Sequence, residues 1–316
     1  MHAEDREVTS AEAPNEESTG RQGPETAVRA AAEAPARAPV DAVPEAGRGA
    51  PAPDAPAEPS FVYALGLIEP RFPSPGVEKE FAQASARIDT TGLNDRQVFH
   101  RVINESHNRY LVRQLCWLFV VQGLETYILL PRDPADYQLL IDSYPEYLTG
   151  EEIDLVVGLR AQIAPPEMCN GLALPIVAFD QIYSFTRKTL LDAVPKPDSV
   201  TQKNEAKFRE TAAGLLNNVR QIADNAGATD EHRALNYLSV RYPTIYARAA
   251  EAQDGNQSLS GVDVRMSPLS GVRKVVDVVF SYVHRQTDVM DRYLVRVDVT
   301  EEYPFLVTPL CPYFEN

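Results

Sequence analysis

Residues 61–84 read FVYALGLIEPRFPSPGVEKEFAQA, and the switch inside this stretch sets the fold class. Its opening, FVYALGLI, is rich in the β-branched, aromatic and aliphatic residues that suit a strand. EPRFPSPG then places three prolines within six residues, and residues without an N–H cannot continue a strand interior, so the chain is expected to turn. VEKEFAQASARI follows with Val77, Phe81 and Ile88 compatible with one buried helical face. A strand handing over to a helix in so few residues, and doing so again downstream, predicts an α+β fold.

Working outward toward the C-terminus, the longest helical pattern runs from about Asp95 to Val121. Val98, Val102, Ile103, Tyr110, Leu111, Leu115 and Leu118 recur at helical spacing, and Gly123 is read as the stop. The apolar run Leu115 to Val121 is accordingly taken as a core helix segment with Trp117 inside. ETYILLP reads as a strand, ADYQLLIDSYPEYL as a helix broken before Pro145, EEIDLVVGLR as a strand, and GLALPIVAFDQIYSF as a further apolar segment. VPKPDSV looks like a connector. Beyond it, Phe208, Leu215, Leu216, Val219 and Ile222 mark an amphipathic helix, and Asp230 caps EHRALNYLSVRY, which Pro243 interrupts. DGNQSLSG reads as a surface loop. VVDVVFSYV and YLVRVDVT then turn strand-like; the first alternates only roughly, the second more cleanly, with Val295, Val297 and Val299 on one face and Leu294, Arg296 and Asp298 on the other. Two packed subdomains, 60–195 and 196–316, are expected.

Upstream of Phe61 the chain is different material. Residues 1–59 hold twelve acidic residues, five arginines, no lysine and many Ala and Pro. Such a segment buries too little apolar area to offset its ordering entropy, so a disordered acidic tail is expected.

The bulk charge narrows the partners. With 45 acidic against 30 basic residues the 316-residue chain carries −15, which repels phosphate backbones and anionic membrane surfaces; neither nucleic acid nor membrane is an expected partner. No apolar run is long enough to span a bilayer. Cys116, Cys169 and Cys311 are widely scattered, which is no disulfide framework, and an odd count leaves at least one thiol free; a reducing cytoplasm is the simplest reading. No CxxC pair exists, so no metal site is expected, and Gly-rich phosphate loops are absent.

Few constellations carry chemistry. Cys169 sits in APPEMCNGLALP, where Asn170 and Gly171 supply turn geometry that can display a nucleophile; His232 or His284 would serve as its base if the fold brings one close. Against this stands the commoner role of a free cysteine as a small buried apolar side chain. His100, Asn104 and His107 share a helical stripe, read as a polar face or the edge of a cleft. Glu69 and Arg71 would form a charged rim, and Tyr303, Phe305 and Tyr313, set among prolines, either groove an extended peptide or pack onto their own core.

Five long blocks carry a family resemblance. The opening stretch quoted above, NRYLVRQLCWLFVVQGLETYILLPRDP, APPEMCNGLALPIVAFDQIYSF, TDEHRALNYLSVRYPTIY and YLVRVDVTEEYPFLVTPLCPYFEN are similar, in order, to the C-terminal domains of the PatG and PatA proteins of cyanobactin biosynthesis. The resemblance covers residues 61–316. It implies an association with ribosomally made, post-translationally modified peptides, and it implies no reaction. The PatG protease is subtilisin-like, and none of the Asp-Ser/Thr-Gly, His-Gly or Gly-Thr-Ser elements of that mechanism occurs here. The expected role is an accessory module binding a precursor peptide or a biosynthetic enzyme, with Glu69, Arg71, Tyr303, Phe305 and Tyr313 as candidate contacts. The alternatives are a peptide-modifying enzyme using Cys169, His232 or His284, and a homodimerisation domain.

Overall fold

The computed structural model describes residues 59–196, 200, 205–222 and 224–314; the tail read as disordered and part of the 194–200 connector lie outside them. The chain opens with strand β1 (Phe61–Arg71), then helices α1 (Pro75–Ser85), α2 (Asp95–Asn104) and α3 (Arg109–Gln114). Strands β2 (Cys116–Val121) and β3 (Leu124–Pro131), helix α4 (Tyr137–Asp142), and strands β4 (Glu152–Ile163) and β5 (Pro175–Thr186) follow. Helices α5 (Arg187–Asp192), α6 (Glu205–Arg220), α7 (Asp230–Arg241) and α8 (Thr244–Asp254) lead into strands β6 (Gln257–Met266), β7 (Val275–His284), β8 (Met290–Asp298) and β9 (Phe305–Pro312). The fold is α+β. Among the described residues no helix is long and apolar enough to cross a membrane.

The first five strands close into a barrel in the order β1-β2-β3-β5-β4, antiparallel except for the parallel β3–β5 pair. Closure depends on β1 serving two neighbours: Phe61 to Gly66 pair with β4, and Leu67 to Arg71 with β2. Gly66 sits at the crossover, where a Cβ would lie 2.4 Å from the Val120 carbonyl oxygen and 2.8 Å from the Phe119 ring. No other residue fits between the strands there. All five strands send apolar side chains inward, among them Val62, Trp117, Phe119, Leu129, Val156 and Phe179, and α1 to α4 add to the same cluster. This strand order, with a helix between β3 and β4, is that of the OB-type barrel, a likeness of topology that carries no function by itself.

The remaining strands form an antiparallel sheet, β6-β7-β8-β9. A second apolar core joins the barrel's outer wall (Tyr63, Leu65, Leu155, Val157) to α6, α7, α8 and to the β7 and β8 residues Val278, Phe280, Val295 and Val297. The segments on either side of residue 195 share this core. Buried aliphatic side chains each contribute about 1.5–3 kcal/mol.

Two expectations from the sequence are corrected. The helix expected over Asp95 to Val121 is broken: α2 ends at Asn104, the buried Asn108 donates its side-chain amide to the Val102 carbonyl at 3.0 Å, and β2 takes over at Cys116. Gly123 therefore stops no helix. It forms the β2–β3 hairpin turn with Gln122, at φ 82° and 51°, the doubly positive turn such hairpins favour. The physical cause is that β2 is buried on both faces, so its uninterrupted apolar run lacks the alternation that marks a strand. The second correction is at DGNQSLSG, where β6 begins at Gln257 instead of a loop continuing.

Candidate functional site

The turn expected around Cys169 is present, and it is left-handed: Cys169, Asn170 and Gly171 have φ of 50°, 57° and 81°. Its thiol, however, is joined to Cys116 in a disulfide spanning 53 positions. A nucleophile needs a thiolate, so the reading of Cys169 as a displayed nucleophile is corrected, as is the expectation that these scattered cysteines stay reduced. Cys311 on β9 is the free thiol. The disulfide clamps the β4–β5 loop over the outside of the barrel, where Leu118 and Ile128 are fully covered in a small cluster with Ala164 and Ile176.

The two histidines lie elsewhere. His232 is in the first turn of α7, its backbone N–H donating to the Thr229 side chain at 3.1 Å; burial holds its imidazole below the usual range, against the pull of Glu231 and Asp224. His284 ends β7, and its Nδ1 accepts from the Gln286 backbone at 3.3 Å. The contacts of Cys169, His232 and His284 share no residue. The structure does not assemble them into a relay.

The charged rim and the C-terminal aromatics also occupy separate places. Arg71 pairs with Glu69 at 3.3 Å and with Glu125 of β3 at 3.0 Å, all on the surface. Tyr303 donates to Asp180 of β5, and its hydroxyl pKa is raised by burial first and then by that carboxylate. Arg273 lies 5.1 Å over the Phe305 ring, and Arg265 donates to the Tyr313 hydroxyl at 3.0 Å. Between them Leu306 and Leu310 pack on the shared core, so β9 combines an anchored face with an exposed one at the sheet edge.

Two features were not anticipated from the sequence. The first is Asp154, an isolated carboxyl within the apolar strand β4. Its Oδ2 accepts from the Ile68 backbone N–H at 2.9 Å and its Oδ1 from the Ser184 hydroxyl at 2.6 Å. Gly66 opposite Asp154 is the last β1–β4 pair, so the carboxyl takes an N–H just past the point where β1 leaves β4. Burial pushes its pKa up to about 6, although both hydrogen bonds act to lower it. A cavity of about 260 Å³, lined also by Tyr147, Thr149 and Glu152, opens beside it.

The second is a polar cavity of about 380 Å³ between the β2–β3 turn, the end of α6 and the middle of α7. Asn217, Arg220 and Gln221 lie three and four residues apart and so share one face at the end of α6. The opposite face of that helix, with Leu215, Leu216 and Val219, is in the core. Gln122 reaches in from the turn, its amide donating to the carbonyls of Arg220 at 2.6 Å and Ile222 at 2.9 Å. The floor is a reciprocal amide pair, Asn225 and Asn236, at 2.8 and 3.1 Å, with Asn236 also donating to the Tyr63 carbonyl at 2.9 Å. Burial lowers the Arg220 pKa and the like charge of Arg187 lowers it further. Arg187 has Glu151 at 2.6 Å, whereas among the described residues no carboxylate pairs with Arg220. A sequence shows these polar positions only as the outer face of an amphipathic helix and scattered turn residues.

The family follows from two model matches, one described as PatG Domain over residues 61–251 and one as PatG C-terminal over residues 202–313. The chain belongs to the PatG domain family. Among solved structures it is similar to the "PatG Domain of Unknown Function", at 22% identity and a TM-score of 0.65, over 80% of this chain and 98% of that one. No curated protein matches the chain.

Proposed function

We propose that this chain is a noncatalytic binding module that takes a precursor peptide or a biosynthetic partner in the making of ribosomally made, modified peptides of the cyanobactin type. The observation that carries the reading is the polar cavity. Amide side chains and one arginine converge on it, and none of its lining residues is a nucleophile or a titrating acid or base. Such a lining recognises peptide groups without reacting with them. Membership of the PatG domain family supports the peptide context. Nucleic acid fits poorly: the chain carries −15, and the outer β2–β3 surface that OB-type barrels use for oligonucleotides is covered here by the disulfide-clamped loop.

The test is titration of the full chain into a short peptide encoded beside its gene, followed by mass spectrometry of that peptide. Saturable binding with unchanged peptide mass is expected. A mass shift would replace this reading with a peptide-modifying enzyme, for which Asp154, a buried carboxyl raised toward neutral beside a cavity, is the candidate acid or base. A molar mass that rises with concentration, with no peptide affinity, would replace it with a dimerisation domain.

A further inference from the structure

We propose that the cavity at the end of α6 is a carboxylate subsite that holds the C-terminal end of a peptide, a proposal that rests on the peptide-binding reading and names the part of the peptide recognised. Arg220 presents a planar fork of N–H donors that matches a carboxylate with two parallel hydrogen bonds. It sits half out of water beside the like charge of Arg187, and among the described residues it has no acidic partner, in a chain whose acids outnumber its bases 45 to 30. The cavity thus has a net positive charge awaiting an anion.

The surroundings decide which anion. A helix C-terminus normally repels negative charge through its unpaired carbonyls. Here the Gln122 amide covers two of them, those of Arg220 and Ile222, and removes that obstacle. Asn217 and Gln221 flank the guanidinium on the same helical face, and each offers a donor and an acceptor that complement a peptide N–H and C=O. No described carboxylate lines the cavity, so nothing there would neutralise the free ammonium of an amino acid. The ligand is therefore an acylated residue, which is what a peptide C-terminus presents. At about 380 Å³ the space lies within the usual range for small ligands, roughly 300–1,000 Å³, and takes more than a bare anion. Leu65 is the apolar lining residue, which suits a small terminal side chain.

The experiment uses the full chain and four probes: acetyl-alanyl-glycine as the free acid, its C-terminal carboxamide, free glycine and inorganic phosphate. Calorimetry gives affinities, and backbone amide resonances locate binding. The free acid should bind about 10-fold or more tighter than the carboxamide, the difference expected of a charge-assisted pair, and should shift the resonances of Asn217 and Gln221. Arg220→Gln should abolish the preference for the acid, while Asn217→Ala should weaken acid and carboxamide alike. Equal binding of acid and carboxamide overturns the proposal, and so does phosphate or glycine binding as tightly as the free acid. If the acid preference is absent while the precursor peptide still binds, the carboxylate subsite alone is wrong. If the acid preference holds and no precursor peptide binds, the reading it rests on is wrong.

Discussion

Asp154 shows how one side chain serves architecture and carries a pH signature. Its folded pKa, about 6, lies above the usual value near 3.8, so the native state holds a proton that the unfolded chain releases. The contribution is present in full below about pH 4 and is lost as pH rises through about 6, by roughly 3 kcal/mol for a shift of that size. Asp154→Asn keeps an acceptor for Ile68 and does not titrate. Urea denaturation at several pH values should show wild type losing stability relative to the variant between about pH 4 and pH 6; parallel profiles would refute the assignment. Gly227 is a second such position. At φ 69° its Cβ would lie 2.6 Å from Ala64 Cα and from the Tyr63 carbonyl oxygen, while its own carbonyl accepts from the Tyr63 N–H at 2.9 Å. Gly227→Ala should cost about 2 kcal/mol or more, read as a lowered urea midpoint. Residues of this kind are nearly silent in a sequence. An Asp in a strand and a Gly after a helix have ordinary readings as a solvated charge and a helix stop, and only their neighbours, 86 and 164 positions away, give them these roles.

At the scale of elements, legibility followed periodicity. α1 and α6 each bury one face at helical spacing, and the sequence reading places both; β1, covered on both faces, is still read as a strand from its β-branched and aromatic residues and the prolines that end it. β2 buries both faces and therefore shows none; its residues happen to continue the helical spacing of α2 and α3, and the tertiary setting decided against that pattern. The Cys116–Cys169 link was illegible for a different reason. Spacing along the chain says nothing of a loop folding back over a barrel wall. Labelling of the denatured, unreduced chain should modify one thiol, Cys311, and three after reduction. Closing a loop of 53 positions limits the unfolded ensemble, so Cys116→Ser should lower stability by up to about 4 kcal/mol. Proteolysis within residues 164–174 should become faster at the same time. The α6 cavity needed four separate elements, β1, the β2–β3 turn, α6 and α7, to be brought together, and only three of its seven lining residues lie on one helix face.

For the whole molecule, the apolar core shared by the barrel wall, α6 to α8 and the β7–β8 face makes the segments before and after residue 195 interdependent. Arg233 reinforces the joint: from α7 it donates to the Val299 carbonyl at 2.7 Å and to the Glu301 carbonyl, and its guanidinium lies 5.3 Å from the Phe61 ring of β1. A fragment of residues 60–195 would expose Tyr63, Leu65, Ile153, Leu155 and Val157. It should bind a hydrophobic dye and lack the near-ultraviolet dichroism of fixed aromatics, whereas a fragment with cooperative unfolding of its own would show that the barrel is self-sufficient. The double pairing of β1 also has a meaning in time. β1 is the first of the described strands to leave the ribosome, yet its partner in the β1–β4 ladder is 90 or so residues behind it, and the helices that cover its outer face emerge only by residue 254. At roughly 5–20 residues per second, β1 stays uncovered for on the order of 10–40 s of synthesis. Its continuous apolar run, destined for two different cores, is therefore a stretch of the nascent chain that needs shielding by the cell's chaperones before the rest of the protein arrives.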